Sequence, residues 1–440
     1  MESISLQCPV TIKVKVTEKF RAKMLDKMEK QLAEVDLKLS KIDIQKKKFL
    51  EEHAEDNIQQ VGAIVQKMEV DKAKGLKLFH RSDILAYLLN NAKGIAVAGA
   101  HGKTTTSSMI SVVLEHAKVD PTILIGGFVD YLKGNAKLGK SDYLVAEADE
   151  SDGSFLKFYP KIAVVTNIED DHMDHYGSME NIIKAFIQFV QNLDKETGLA
   201  VLCFDNENIR NIADKVDRKY ISYALDHDAD YMAKDIKIDG PHTSFTVIYK
   251  GEVLGDVALN IPGKHNVLNA LATIAVCHHM GLSIEEIAEG FKVFSGTKRR
   301  FQTKFRNENV WIVDDYAHHP TAIRYVIEAT RVRYPGKKIV AIFQPDRFSR
   351  GARFAKEFAQ EMDKADYPYF CPFPENAKHE DGIDIDIYDI SKNSARAKVI
   401  TEDEAGVKEL MQYDNCVFLF MSSKDIYKFE EMLIEAKKSI

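Results

Sequence analysis

Gly99-Ala100-His101-Gly102-Lys103-Thr104-Thr105-Thr106 decides how this chain is read. The apolar run Gly94-Ile95-Ala96-Val97-Ala98 precedes it and reads as a buried parallel strand. Ser107-Ser108-Met109-Ile110-Ser111-Val112-Val113-Leu114 follows with helical spacing. A strand, a glycine turn, Lys-Thr and a helix make the setting in which a loop cradles phosphate. Gly99 and Gly102 let backbone N–H groups close on phosphate oxygens, and the helix start adds partial positive charge. Lys103 can reach terminal phosphates. The Thr104 hydroxyl can bind Mg²⁺, and Thr105 shares its helical turn. The spacing departs from the common form, because the position five before Gly102 is Val97. The expected ligand is ATP with Mg²⁺.

Working outward, 440 residues predict two to three domains. A hydrophobic content of 45% and a charged content of 29% are those of an ordinary soluble protein. The net charge of −7 argues against a nucleic-acid or membrane-surface role for the whole chain. No apolar run reaches the roughly 18–20 residues of a membrane span. Met1-Glu2-Ser3-Ile4-Ser5 does not resemble the start of a signal peptide. Cys8, Cys203, Cys277, Cys371 and Cys416 are far apart and form no C-x-x-C, which fits a reducing cytoplasm and no zinc site.

Residues 1–74 differ from the rest. The alternation over 9–17 predicts one strand. Leu25, Met28, Leu32, Val35, Leu39, Ile42 and Phe49 then form a heptad seam, which resumes at Ile58, Val61, Val65 and Met68. One long helix or an antiparallel helical hairpin fits, with self-association expected for an unpartnered seam. From Gly75 the pattern is α/β. Strands are expected at 95–98, 144–146, 162–166 and 199–204, and helices at 179–193, 265–279 and 284–294. Residues 229–260 alternate like a small antiparallel sheet. A second α/β unit begins near Thr297, with strands at 310–313, 339–343, 367–371, 398–400 and 417–420. It fits a doubly wound sheet.

The polar clusters fall after these strands. Glu147 and Glu150 lie in Glu147-Ala148-Asp149-Glu150-Ser151-Asp152, which is either a Mg²⁺ ligand set or a solvated turn. His172 follows the next strand, as a metal ligand or an ordinary surface histidine. Asn266 and Asn269 share one helix face, suited to a purine edge or to capping. Arg300 stands at the domain junction, as a phosphate clamp or one of a surface pair. Asp315 and His318 end the first strand of the second unit. Arg347 and Arg350, three apart after the next strand, can grip a carboxylate. Singly, each of these last two patches reads as a solvated loop.

Together the motifs GAHGKTTT, EADESDGSF, TNIEDDHMDHYG, IPGKHNVLNA, GTKRRF, DDYAHHPTAI and QPDRFSR are specific. From about Gly75 the chain resembles the Mur ligase family, and within it the alanine-adding branch. The resemblance implies an α/β fold: a phosphate-loop central domain over 75–297 and a C-terminal Rossmann-like domain over 298–440. The heptads predict a preceding α-helical coiled coil over 1–74. The resemblance also implies an ATP-dependent acid–amino acid ligase of peptidoglycan synthesis, and so a part in cell-wall building and cell shape. The γ-phosphate of ATP goes to a carboxylate, and an amino acid, L-alanine in this branch, attacks the acyl phosphate. Carried over, Lys103 and Thr104 hold phosphate and Mg²⁺, and Glu150 (or Glu147) and His172 are metal ligands. Asn266, Asn269, Arg300, Asp315 and His318 contact ATP, and Arg347 and Arg350 hold the amino acid or acyl substrate. Ile187 stands where many relatives carry a carbamylated lysine, which the alanine-adding branch also lacks.

The chain departs from the family in three places. VTIKVKVTEKF and the heptads resemble the YlqD family of small coiled-coil proteins, and no glycine-rich turn suited to a UDP sugar precedes Gly94. Asp346 stands where the family often has histidine. Met421-Ser422-Ser423-Lys424-Asp425-Ile426 replaces a Gly-Ala-Gly turn. Two further readings follow: a ligase for a different carboxylate, and a non-catalytic ATP-binding scaffold that uses its coiled coil for assembly.

Overall fold

In the computed structural model the described residues are 3–6, 12–15 and 80–438, apart from Pro241, Asn376 and 378–382. The heptad seam and the expected boundary at residue 74 lie outside them. β1 (Ser3–Leu6) and β2 (Ile12–Lys15) pair antiparallel. Of the strand expected over 9–17, residues 12–15 are described and are strand, and the remaining positions lie outside the described residues.

The next unit contains α1 (Arg81–Asn90), β3 (Lys93–Ala98), α2 (Lys103–His116), β4 (Thr122–Val129), β5 (Gly134–Lys137) and β6 (Tyr143–Glu147). It continues with β7 (Ile162–Val165), α3 (Met173–Tyr176), α4 (Met179–Gln191), β8 (Leu199–Cys203), α5 (Glu207–Ala213) and β9 (Tyr220–Ala224). β10 (Tyr231–Asp239), β11 (His242–Tyr249), β12 (Glu252–Leu259), α6 (Lys264–His279) and α7 (Ile284–Lys292) complete it. Its ten strands are ordered β12-β11-β10-β9-β8-β7-β3-β6-β4-β5. The segment 229–260 is antiparallel within itself, as expected. It is not a separate sheet, because β10 pairs parallel with β9 and extends the central one. β4, with two glycines, and the short β5 and β9 are absent from the sequence reading, being neither long apolar runs nor clean alternations.

β3 lies between β6 and β7. The chain leaves β3 for β4 and β6 on one side, then crosses to β7 and β8 on the other. This reversal opens a crevice at the carboxyl ends of the strands. α2 is buried along nearly its whole length. Gly290 of α7 allows its close approach: a Cβ there would lie 2.8 Å from Val113 Cα. The buried Ser107 and Ser111 hydroxyls donate to the carbonyls of Thr104 and Ser107, whereas the buried Ser108 hydroxyl has no hydrogen-bond partner.

After Lys292 the chain crosses to the second unit. This contains β13 (Gln302–Arg306), β14 (Val310–Asp315), α8 (Pro320–Arg333), β15 (Lys338–Phe343), α9 (Phe348–Arg353), α10 (Ala355–Met362) and β16 (Tyr367–Phe370). α11 (Ile387–Ser391), β17 (Lys398–Val399), α12 (Glu404–Leu410), β18 (Cys416–Met421) and α13 (Tyr427–Lys438) follow. The order is β13-β14-β18-β15-β16-β17, parallel except at β13. Both faces of β18 are buried: Val417 and Leu419 join one core, and Phe418 and Phe420 the other. That is why its sequence is an unbroken apolar run rather than an alternation.

Candidate active site between the two domains

The phosphate loop is fixed by its surroundings. Gly102 is the N-cap of α2 with φ +84°, and Gly99 has φ +134°. A Cβ at Gly99 would lie 2.1 Å from Thr166 Oγ1, and one at Gly102 2.7 Å from Asn269 Oδ1. Asn167 grips the His101 backbone, accepting from its N–H at 2.8 Å and donating to its carbonyl at 2.9 Å. Thr166 Oγ1 donates to the same carbonyl at 2.5 Å.

Lys103 Nζ donates to the Gly99 carbonyl and to Glu150 Oε1, both at 2.6 Å. Burial pulls the Lys103 ammonium down, but Glu150, Asp149 and Glu147 outweigh it and raise it above its ordinary value. Burial pushes the Glu150 carboxyl up to about 7, against the Lys103 charge. Thr104 Oγ1 lies 3.0 Å from both Glu147 oxygens, and Glu147 also accepts from the Gly126 N–H at 3.0 Å.

His172 has φ +57° and projects its Nε2 to 3.7 Å from Glu150 Oε1 and 3.5 Å from Asp171 Oδ2. Burial holds its imidazole down at about 4, against the pull of Asp171, so the ring is neutral and can ligate metal. Glu150 Oε2 and His172 Nδ1 are buried without a hydrogen-bond partner. Hydroxyl, carboxylate and imidazole donors with orphaned atoms fit a divalent cation beside the loop.

Of the two helix amides, Asn269 accepts from Thr106 Oγ1 at 3.1 Å and donates to Asn266 Oδ1 at 3.2 Å, while Asn266 donates to the Pro262 carbonyl at 2.7 Å. Both are buried, and Asn269 backs the loop at Gly102. Arg300 crosses from the junction to donate to Thr104 Oγ1 at 3.3 Å, and its guanidinium lies 4.7 Å from the Tyr316 ring centre. Asp315 binds backbone, accepting from Phe301 N–H at 2.7 Å and Ala317 N–H at 2.8 Å. Burial raises its carboxyl to about 6, opposed by Arg300. It therefore shapes the junction that aims Arg300.

Arg350 differs most from its expected role. Its Nη1 donates to both Asp346 oxygens at 2.8 and 3.0 Å, and its Nη2 to Asp171 Oδ1 at 2.7 Å. All three side chains are buried. Burial opposes charge on Asp171, but Arg350 holds it well below the usual range. Arg350 thus clamps the C-terminal domain onto the first, leaving its Nε, buried and unpartnered. Arg353 pairs with Asp170 beside it. Arg347 and Arg350 do share a cavity of about 360 Å³ with Asp170, Asp171 and His172. His318 is held at about 3 by burial and by Arg350, against the pull of Asp346 and Asp171. Its Nδ1 lies 2.8 Å from the Tyr316 carbonyl.

Several contributors lie outside the sequence reading. Asn167, Gly126 and Tyr176, whose hydroxyl donates to the Glu150 carbonyl at 2.5 Å, act through backbone, which leaves no residue-type signal. Two departures from the family pattern meet: Ser423 Oγ donates to Asp346 Oδ2 at 2.7 Å. Nothing in their separate motifs announces that contact.

Fold and site define a phosphate-loop protein of two α/β domains that meet over the loop. The Mur ligase middle domain matches residues 97–277, and the Mur ligase, glutamate ligase domain matches 299–423. The YlqD protein family matches 4–82. The UDP-N-acetylmuramate--L-alanine ligase of Desulforamulus reducens is 48% identical over 66% of this chain and 63% of its own. That of Pelotomaculum thermopropionicum is 44% identical over 71% of this chain and 70% of its own. The crystal structure of the UDP-N-acetylmuramate-alanine ligase of Thermotoga maritima matches with a TM-score of 0.66 and 29% identity. It covers 81% of this chain and 78% of that one. The chain belongs to the Mur ligase family. It spans slightly under two thirds of the Desulforamulus relative. Among the described residues no helix is long and apolar enough to cross a membrane.

Proposed function

We propose that this chain is an ATP-dependent acid–amino acid ligase of the Mur type, acting in peptidoglycan synthesis in the cytoplasm. The observation that carries the reading is the convergence on one loop of Lys103, the Thr104–Glu147 pair, Glu150, His172 and, from the other domain, Arg300. Lys103 and Arg300 would hold the ATP phosphates. Thr104, Glu147, Glu150 and His172 would hold Mg²⁺, which would supply charge neutralisation between the two anions. A carboxylate oxygen takes the γ-phosphoryl group and ADP leaves. The amine then forms the amide bond as phosphate departs. In-line transfer of this kind depends on position and charge. The cavity with Arg347 is the proposed place for the carboxylate or the amino acid. L-alanine is the expected amino acid, from the names of the relatives.

The test is phosphate release that depends on amino acid, across candidate carboxylates. L-alanine-dependent release supports the reading. ATP binding with no release under any pair would favour a scaffold role.

A second reading concerns the acyl substrate. Residues 4–82 match the YlqD family, and a heptad helix offers no glycine turn where a pyrophosphate can approach backbone N–H groups. On this reading the chain binds ATP but binds UDP-N-acetylmuramate weakly, and its carboxylate substrate is a different one. Calorimetry with the UDP sugar and a non-hydrolysable ATP analogue decides it. Micromolar binding overturns the weak-binding reading. The heptad seam would serve self-association, read out by sedimentation of the full chain.

A further inference from the structure

Away from the Mg²⁺ residues, His101, Glu169 and His319 converge. One ligand atom from each lies within 4.8 Å of the others. His101 Nε2 stands 3.3 Å from Glu169 Oε2. Two ligands of a tetrahedral zinc ion at about 2.0–2.1 Å are separated by about 3.3–3.4 Å.

His101 Nε2 and His319 Nε2 are both buried without a hydrogen-bond partner. Leaving buried ring nitrogens orphaned is costly unless something binds them. The His319 imidazole is kept neutral by burial, which holds it at about 4. Thr321 Oγ1 donates to Glu169 Oε2 at 3.1 Å and orients the carboxylate, as supporting groups do around metal ligands. His319 Nδ1 faces the Thr321 N–H at 3.4 Å. That contact is long for a hydrogen bond, and ligation through Nε2 would surrender it.

We propose that His101, Glu169 and His319 bind a divalent transition metal of the zinc type, separate from the Mg²⁺ residues, and so fasten the C-terminal domain to the phosphate loop. Two imidazoles favour such a metal over Mg²⁺. His101 sits in the loop itself, Glu169 follows β7, and His319 caps α8 of the other domain. The ligand set is therefore complete only when the domains meet. The fourth position is left for water or a substrate group.

The test adds Co²⁺ to the full chain saturated with Mg²⁺. One equivalent should give the visible absorption of tetrahedral Co²⁺, which Zn²⁺ then displaces. His319→Ala and Glu169→Gln should each weaken Co²⁺ binding on the order of 100-fold, whereas Lys103→Ala should leave it within about twofold of wild type. If one variant fails to fold by circular dichroism, the other carries the comparison. The absence of a visible band in the wild type overturns the proposal. So does a band that survives both substitutions, or one that Lys103→Ala removes.

Discussion

Lys103 and Glu150 neutralise each other across 2.6 Å, and this sets what the loss of either does. Lys103→Ala removes a charged donor to phosphate, so Mg·ATP binding should weaken about 10- to 100-fold. The variant should still fold, because Glu150, already at about 7, can take up a proton instead of remaining a bare buried charge. Calorimetric titration with ATP, paired with circular dichroism, reads both outcomes; unchanged affinity in a folded variant would refute the phosphate-loop assignment. Gly102 is constrained by backbone rather than charge. Gly102→Ala places a Cβ at φ +84° and 2.7 Å from Asn269 Oδ1. It should cost about 1–3 kcal/mol in urea denaturation and lower ATP affinity through the displaced loop.

At the scale of elements, α13 carries an unusual burden. Glu430 is fully buried, and both its oxygens and those of Asp314 on β14 lack hydrogen-bond partners. Burial raises the Glu430 carboxyl to about 8, and the Asp314 charge adds to this. The folded protein thus keeps a proton that the unfolded chain releases at the ordinary value of 4.5. Between about pH 4.5 and 8 the native state binds more protons, so this group's contribution to stability falls as pH rises and has gone above about 8. Urea midpoints at pH 6 and pH 9 should show the loss in wild type, and Glu430→Gln should lessen it, Glu150 at about 7 keeping a share. An equal slope in both proteins would remove Glu430 as its source. At α9 the reasoning concerns paired charge. Arg350→Ala would strand Asp171 and Asp346 in the interior, a loss of about 3–5 kcal/mol in the closed state.

For the whole molecule, that loss falls on the joint between domains, since Asp171 belongs to one and Arg350 to the other. Arg350→Ala should open the molecule and increase its radius of gyration in X-ray scattering. Amino-acid-dependent phosphate release should vanish, while ATP affinity falls less than in Lys103→Ala. An unchanged radius would show that the remaining cross-domain contacts hold the domains alone. Much of this architecture was legible beforehand. The loop, its strand and its helix are local in sequence, and steric and dipolar rules act over a few residues. Most of the parallel strands were visible because burial on both faces writes them as apolar runs, whereas β4 and β9, parallel too, were not. The sequence by itself therefore determined the α/β class, the phosphate loop and the polar clusters at the strand ends. Partnership was not legible, because it joins residues far apart in sequence. That Lys103 meets Glu150, Thr104 meets Glu147, and Arg350 spans Asp346 and Asp171 depends on which strand lies beside β3 and on how the second domain sits. Tertiary structure alone decided those contacts, because side-chain charge acts over a few ångströms of space, whatever the separation along the chain.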